Sequence, residues 1–355
     1  MTRARVLLDN HQTRKVKTAH PARPPARIFM SRSDRVPTID MRAPDAHQLA
    51  GLDAACADHG FFLLSGHGLD AVIERTWRET TRFFDADRSV RLEIQRDQAN
   101  PLGYYDRELT KRRRDTKEVF DFADPSITRI DLKNRWPTAL PGFRDALVEF
   151  YDAFSELATR TLQLLHESLT LSAAARSTMV SSRHTSTVRL NHYPTFDPVP
   201  ESERGSLPPL GETALGYHTD PGVFTLLLQD NTGGLQTQAR DGEWIDVPPR
   251  DGTIVVNLGD CMQSWTNDRW RAAVHRVVPM TRQRRFSIPY FSNPERTAII
   301  EPLAELATEG ARYRSVAWRT FIQARVDDNY TDLGADDTQM AQYRIGDRSK
   351  VEIPD

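Results

Sequence analysis

The sequence predicts a mainly β protein with helical support, in which an α/β N-terminal region precedes a β-rich second half. Three observations carry this. After Ser186, short β-prone runs alternate with turn signals, the texture of an all-β sandwich or barrel. Just before it, Phe143–Leu165 holds one apolar stripe at helical spacing, a natural spine for a sheet to pack on. Ahead of that spine, single short strands alternate with amphipathic helices.

In chain order, Val36–Asp40 alternates like a short strand, and Pro44-Asp45 opens a helix that stops at His59-Gly60. Phe61–Leu64 has the length and content of a buried strand, closed by Gly66-His67-Gly68. Leu69, Val72, Ile73, Trp77, Phe83 and Phe84 mark an amphipathic helix. Asn100–Tyr105 runs from loop to strand, and Asp115–Phe122 is a further strand. Between them, Lys111–Arg114 is a basic run of the kind usually found in solvated loops. The β-rich half divides into Val188–Tyr193, Val223–Leu228, Leu235–Gln238, Trp244–Val247, Thr253–Leu258, Val274–Val278 and Phe286–Phe291. Ser315–Val326 is helical by pattern, and a polar tail starts at Asp327. The expected organisation is a basic, Pro-rich tail over residues 1–35, an α/β region over 36–140, the spine helix and β core over 141–300, and a C-terminal helix and tail over 301–355.

Composition excludes several function classes. With 355 residues, 39% hydrophobic and 27% charged, the chain can bury a sizeable core. A net charge of −2 gives no general attraction to nucleic acid or anionic membrane. No apolar run reaches the roughly 20 residues of a membrane span. Two cysteines, Cys56 and Cys261, cannot build a disulfide framework or a thiolate zinc site, so a reducing cytoplasm is the expected compartment.

The chemistry-bearing stretch is Tyr217-His218-Thr219-Asp220. On a strand, His218 and Asp220 would share a face because side chains alternate. A His-x-acid pair is weak evidence by itself, since about one is expected by chance in a chain of this composition. His275, in a later strand, would complete two nitrogens and one oxygen around a metal, the facial triad of non-haem Fe(II) oxygenases. Arg285 and Ser287 then share one face of the strand after that. A buried Arg needs an anion, and its planar fork suits a carboxylate.

Taken together, His218-x-Asp220, His275 and Arg285-x-Ser287 resemble the 2-oxoglutarate- and Fe(II)-dependent dioxygenases of the isopenicillin N synthase-like superfamily. The resemblance runs from Val36 to about Pro294 through His59-Gly60-Phe61-Phe62, Gly66-His67-Gly68, Lys117-Glu118, Gly233-Gly234-Leu235-Gln236, Val256-Asn257-x-Gly259-Asp260 and His275-Arg276-Val277. It implies a distorted double-stranded β-helix (jelly roll) core. His218, Asp220 and His275 would hold Fe(II). Arg285, Ser287 and Tyr193 would hold the distal carboxylate of 2-oxoglutarate, with Asn191 near its metal-bound end. Dioxygen is the co-reactant and ascorbate an optional reductant. By family position Tyr105, Phe120, Tyr217, Phe224 and Phe291 would line the substrate pocket, while His59, His67 and His192 are structural.

The implied activity is oxidative decarboxylation of 2-oxoglutarate to succinate and CO2, coupled to hydroxylation, desaturation or ring closure of a small organic metabolite. The expected protein is a monomer without nucleic-acid or membrane partners. Two alternatives stay open. An isopenicillin N synthase-type oxidase uses the same triad and Arg-x-Ser pair without 2-oxoglutarate, and a decayed scaffold would bind without catalysing.

Overall fold

The computed structural model describes residues 35–110, 113–127, 132–330 and 340–346, with the backbone alone at 326–330. The tail expected over residues 1–35 lies outside the described residues up to residue 34, as do Lys111 and Arg112 of the basic run.

An eight-stranded sheet dominates the molecule. Its spatial order is Thr38–Asp40, Phe61–Ser65, Ile254–Leu258, Phe224–Gln229, Arg285–Asn293, Ser182–Tyr193, Glu118–Ala123 and Gly103–Tyr105. Strands from both halves of the chain thus interleave in one sheet. A second sheet of four strands has the order Trp244–Asp246, Leu235–Gln238, His275–Val277, Leu215–His218.

Side-chain alternation explains how the layers stack. On one face of the large sheet, Phe62, Leu64, Leu190, Leu226, Val256, Ile288 and Tyr290 join a core with Phe143, Leu147, Phe150, Tyr151 and Phe154 of helix Phe143–Leu169. On the other, Phe61, Leu63, Tyr193, Leu227 and Val255 pack with Leu235, Ile245 and Val277 of the small sheet. The large sheet is covered on both faces where the small sheet lies against it, and strands Phe61–Ser65, Phe224–Gln229 and Ile254–Leu258 there are mostly apolar. The two sheets and their shared core form the β sandwich, and Asn191, Tyr193, Arg285 and Ser287 point into its interior.

Helix Ala46–Asp58 begins where Pro44-Asp45 predicts, because Asp45 and Gln48 form a reciprocal capping box. The C-terminal helix runs from Trp318 to Tyr330, so the polar tail starts later than Asp327. The residues ahead of it, Val316–Ala317, pair instead with Ile299–Ile300. A short helix at Asp260–Trp265 was not visible in the sequence pattern. Among the described residues, no helix is long and apolar enough to cross a membrane.

Candidate metal and cosubstrate site

His218 is the last residue of its strand, and His275 is the first residue of the neighbouring strand, directly opposite it. The two rings lie 4.3 Å apart. Asp220 is not on the strand, contrary to the simple alternation argument. It sits in the turn beyond, and its aim is set by partners: Thr225 Oγ1 and Asn257 Nδ2 donate to its Oδ2 at 2.5 and 2.7 Å. Oδ1 is left facing the imidazoles, 3.7 Å from His218 Nε2 and 4.0 Å from His275 Nε2. One ligand atom from each of the three residues lies within 4.8 Å of the others.

The tautomers are fixed from behind. His218 Nδ1 donates to Gly216 O at 2.9 Å, and His275 Nδ1 donates to Ala273 O at 2.8 Å. A carbonyl can only accept, so both Nε2 lone pairs face the centre. Burial and the neighbouring His275 push His218 down to about 3, which keeps it neutral at physiological pH. Burial alone would raise the Asp220 carboxyl, but the two imidazoles, Thr225 and Asn257 hold it below the usual carboxylate range. Two imidazole nitrogens and one carboxylate oxygen make a donor set that suits a divalent transition-metal ion, and the three positions match the facial arrangement used for Fe(II).

The turn carrying Asp220 is laced to the start of the short helix. Asp260 N donates to Asp220 O at 2.8 Å, and Gly259 N to Val223 O at 3.0 Å. A Cβ on Gly259 would lie 2.2 Å from Gly222 O and 2.9 Å from Asp220 O, both backbone atoms. Gly259→Ala is therefore expected to cost about 2–3 kcal/mol of stability and to weaken metal binding. Denaturant unfolding with Fe(II) titration checks this, and a wild-type unfolding midpoint would show that the turn can give way.

Arg285 is fully buried. Its Nε donates to Gly233 O at 2.9 Å and its Nη2 approaches Gln229 Oε1 at 3.5 Å, but Nη1 has no hydrogen-bond partner. No carboxylate pairs with it among the described residues. A buried guanidinium in this state is costly unless an anion completes it. Tyr193 lies directly across the ladder from Arg285, its ring 5.0 Å from the guanidinium carbon. Ser287 lies across from Asn191, whose Nδ2 donates to Ser287 Oγ at 3.3 Å. These four residues, the triad and Lys117 line an inner cavity of about 70 Å³.

An outer cavity of about 210 Å³ adjoins it at His218 and Asp220. Its walls include Phe224, Phe291, Leu109, Leu215 and Ile322. Phe120, expected there, is instead a core residue: the parity of strand Glu118–Ala123 turns it toward the helices, against Phe83 and Phe143. Tyr105 is held under the Arg96 guanidinium, 4.1 Å from its ring centre, and lines neither cavity. Tyr217 points away from its neighbour His218 and is 51% exposed. His192 faces the helical side, bonded to Glu118 Oε1 at 2.7 Å and stacked on Phe286, while His59 and His67 bond to local backbone.

Sequence reasoning missed a charged wall shared by both cavities. Buried Lys117 bridges Glu108 and Asp115 at 3.0 and 3.1 Å, and Arg189 bonds Glu108 and Asp121. It also missed Arg325 of the C-terminal helix, which donates to Thr219 O at 2.6 Å beside the triad. Lys117 and Asn257 stood in motifs that carried no assigned role, whereas Arg325 left no local signal.

The comparisons with known proteins decide the family. Residues 36–139 match the model for the non-haem dioxygenase in morphine synthesis N-terminal region, and residues 184–294 match the 2OG-Fe(II) oxygenase superfamily. The chain is 30% identical to gibberellin 2-beta-dioxygenase 1 of Arabidopsis thaliana, across 86% of this chain and 94% of that protein. The chain belongs to the 2-oxoglutarate- and Fe(II)-dependent dioxygenases. Gibberellin 3-beta-dioxygenase 2-3 of Triticum aestivum is 33% identical, across 82% of this chain and 79% of that one. Among solved structures, a Neurospora crassa protein in complex with alpha-KG and thymine superposes with a TM-score of 0.68 at 25% identity, covering 82% and 96% of the two chains. This dioxygenase is thus an oxidoreductase with a jelly-roll core whose cofactors are Fe(II) and 2-oxoglutarate, and its substrates are small molecules.

Proposed function

We propose that His218, Asp220 and His275 hold Fe(II), and that Arg285, Ser287 and Tyr193 anchor 2-oxoglutarate in the inner cavity. The unpartnered Nη1 of fully buried Arg285, a residue that lines the same cavity as the triad, carries this reading. Bound Fe(II) and 2-oxoglutarate supply the oxidative decarboxylation to succinate and CO2 that drives oxidation of a C–H bond. The protein's own part is orientation and exclusion of water. Gly216 O and Ala273 O fix the imidazoles, Thr225 and Asn257 turn Asp220, and Arg285 sets the length of the cosubstrate that fits.

The prime substrate takes the outer cavity, where Phe224 and Phe291 offer flat apolar surface and Thr187 and Asn293 offer polar contacts. The named relatives act on gibberellins, and the Neurospora crassa protein binds thymine. These molecules share little beyond small size and rings, so the reading commits to a compact cyclic metabolite and to no single one. The same reading places the enzyme as a monomer in a reducing compartment, in keeping with the buried free thiols of Cys56 and Cys261.

Succinate measured against oxygen uptake during turnover on a metabolite panel tests the proposal. One succinate per oxygen is expected. Oxygen uptake without succinate would assign the site to the oxidase type instead. Phe291→Ala should raise the KM of the prime substrate about tenfold or more, with the 2-oxoglutarate KM changing less. Phe291 also borders the inner cavity, so equal changes in both would show that it serves the cosubstrate as much as the substrate.

A further inference from the structure

The iron ligand His218 ends an edge strand. Leu215–His218 pairs with His275–Val277 on one side only, so its outer edge needs another partner. The paired strands Leu109–Thr110 and Arg113–Arg114, with Asp115 just after them, lie along it. Gly216 N donates to Asp115 Oδ1 at 3.3 Å, and the carbonyl of the same Gly216 accepts the His218 Nδ1 proton at 2.9 Å. Asp115 is buried and is itself aimed by Thr110 Oγ1 at 2.9 Å and Lys117 Nζ at 3.1 Å, both on Oδ2. The approach is close enough that a Cβ on Gly216 would meet Thr110 Cγ2 at 2.5 Å.

The same strand pair grips the chain leading into the strand. Arg114 forms a two-pronged pair with Asp197 at 3.0 and 2.8 Å, and its Nε donates to Pro208 O at 2.8 Å. Its backbone pairs with Pro209 and Gly211 at 3.0 and 2.8 Å. At Arg114, then, the basic run is a buried clasp and not a solvated loop. Leu109 and Thr110 meanwhile form part of the outer cavity wall.

We infer that Asp115 is a positioning residue for His218, acting through the Gly216 residue that it holds on one side and that orients the imidazole on the other. The inference rests on the reading of His218 as an iron ligand. If Asp115 served only as a counter-charge for Lys117, its loss would change stability and leave metal affinity alone. The positioning role moves metal affinity itself, and an amide fills it in part: the side-chain oxygen of Asp115→Asn would still accept from Gly216 N, while its Nδ2 cannot accept from Thr110 and Lys117.

Anaerobic equilibrium titration of the full chain with Fe(II), alongside thermal unfolding, separates these roles. Asp115→Ala should weaken Fe(II) binding about 10- to 100-fold, and Asp115→Asn should weaken it at least about threefold less than Asp115→Ala does. Should Asp115→Ala fail to fold, Thr110→Val carries the test, with about threefold or greater weakening expected because Asp115 loses one of the groups that aim it. A folded Asp115→Ala with wild-type affinity would overturn the inference, as would an unchanged Thr110→Val where it stands in. An Asp115→Asn as weak as Asp115→Ala would also overturn it, assigning the loss to the charge near Lys117. Wild type that bound no Fe(II) would overturn the ligand reading and this inference with it, whereas tight binding unaffected by Asp115→Ala overturns the inference alone.

Discussion

Replacing Arg285 by Met should raise the KM for 2-oxoglutarate at least about 30-fold while leaving Fe(II) binding in place. Losing one partner of a buried, hydrogen-bonded charge pair costs about 2–5 kcal/mol, and each 1.4 kcal/mol is a factor of ten. A second expectation runs against intuition. Arg285 is fully buried, and neither of its two neighbours, Gly233 O and Gln229 Oε1, is charged. In the cosubstrate-free protein an apolar side chain of similar length should therefore be tolerated or even stabilising. A Met variant that melts no lower than wild type yet needs far more 2-oxoglutarate would identify Arg285 as a binding group. A lowered melting temperature with an unchanged KM would make it a structural residue.

His275→Ala should abolish iron-dependent turnover, by about 1,000-fold or more in kcat/KM, since a site with one imidazole left no longer fixes the metal's open positions. The loss should appear first as weakened Fe(II) binding and not as unfolding. His275 touches Phe61 edge-on and begins a strand whose backbone pairing the substitution leaves in place. Titration of the variant with Fe(II), followed by succinate assay at saturating metal, checks both parts. Turnover near the wild-type rate would remove His275 from the ligand set.

Much of this architecture was legible because burial leaves a period in the sequence. The stripe Phe143, Leu147, Phe150, Tyr151, Phe154 maps onto one buried helix face, and the β runs fall within a residue or two of the strands at most of their ends. The residues proposed for metal and cosubstrate were singled out by motif order, and strand register sets His218 opposite His275 and Arg285 opposite Tyr193. What stayed hidden depends on contacts between distant segments. Strand Glu118–Ala123 is buried along its whole length, so alternation could not say which face Phe120 takes. Asp220 leaves the strand and is aimed by Thr225 and Asn257, partners that no local pattern pairs with it. Arg114 read as solvent-facing by its basic neighbours and is buried only because Asp197 meets it from a loop 83 residues away.

The proposed site has two parts, a metal triad at one end and a carboxylate anchor at the other. The most direct test is the absorption spectrum of the anaerobic Fe(II) protein as 2-oxoglutarate is added. A metal-to-ligand charge-transfer band is expected in wild type, reached at modest 2-oxoglutarate concentration, and only at far higher concentration in Arg285→Met. No band in wild type, or a band with the same concentration dependence in both proteins, would contradict the account.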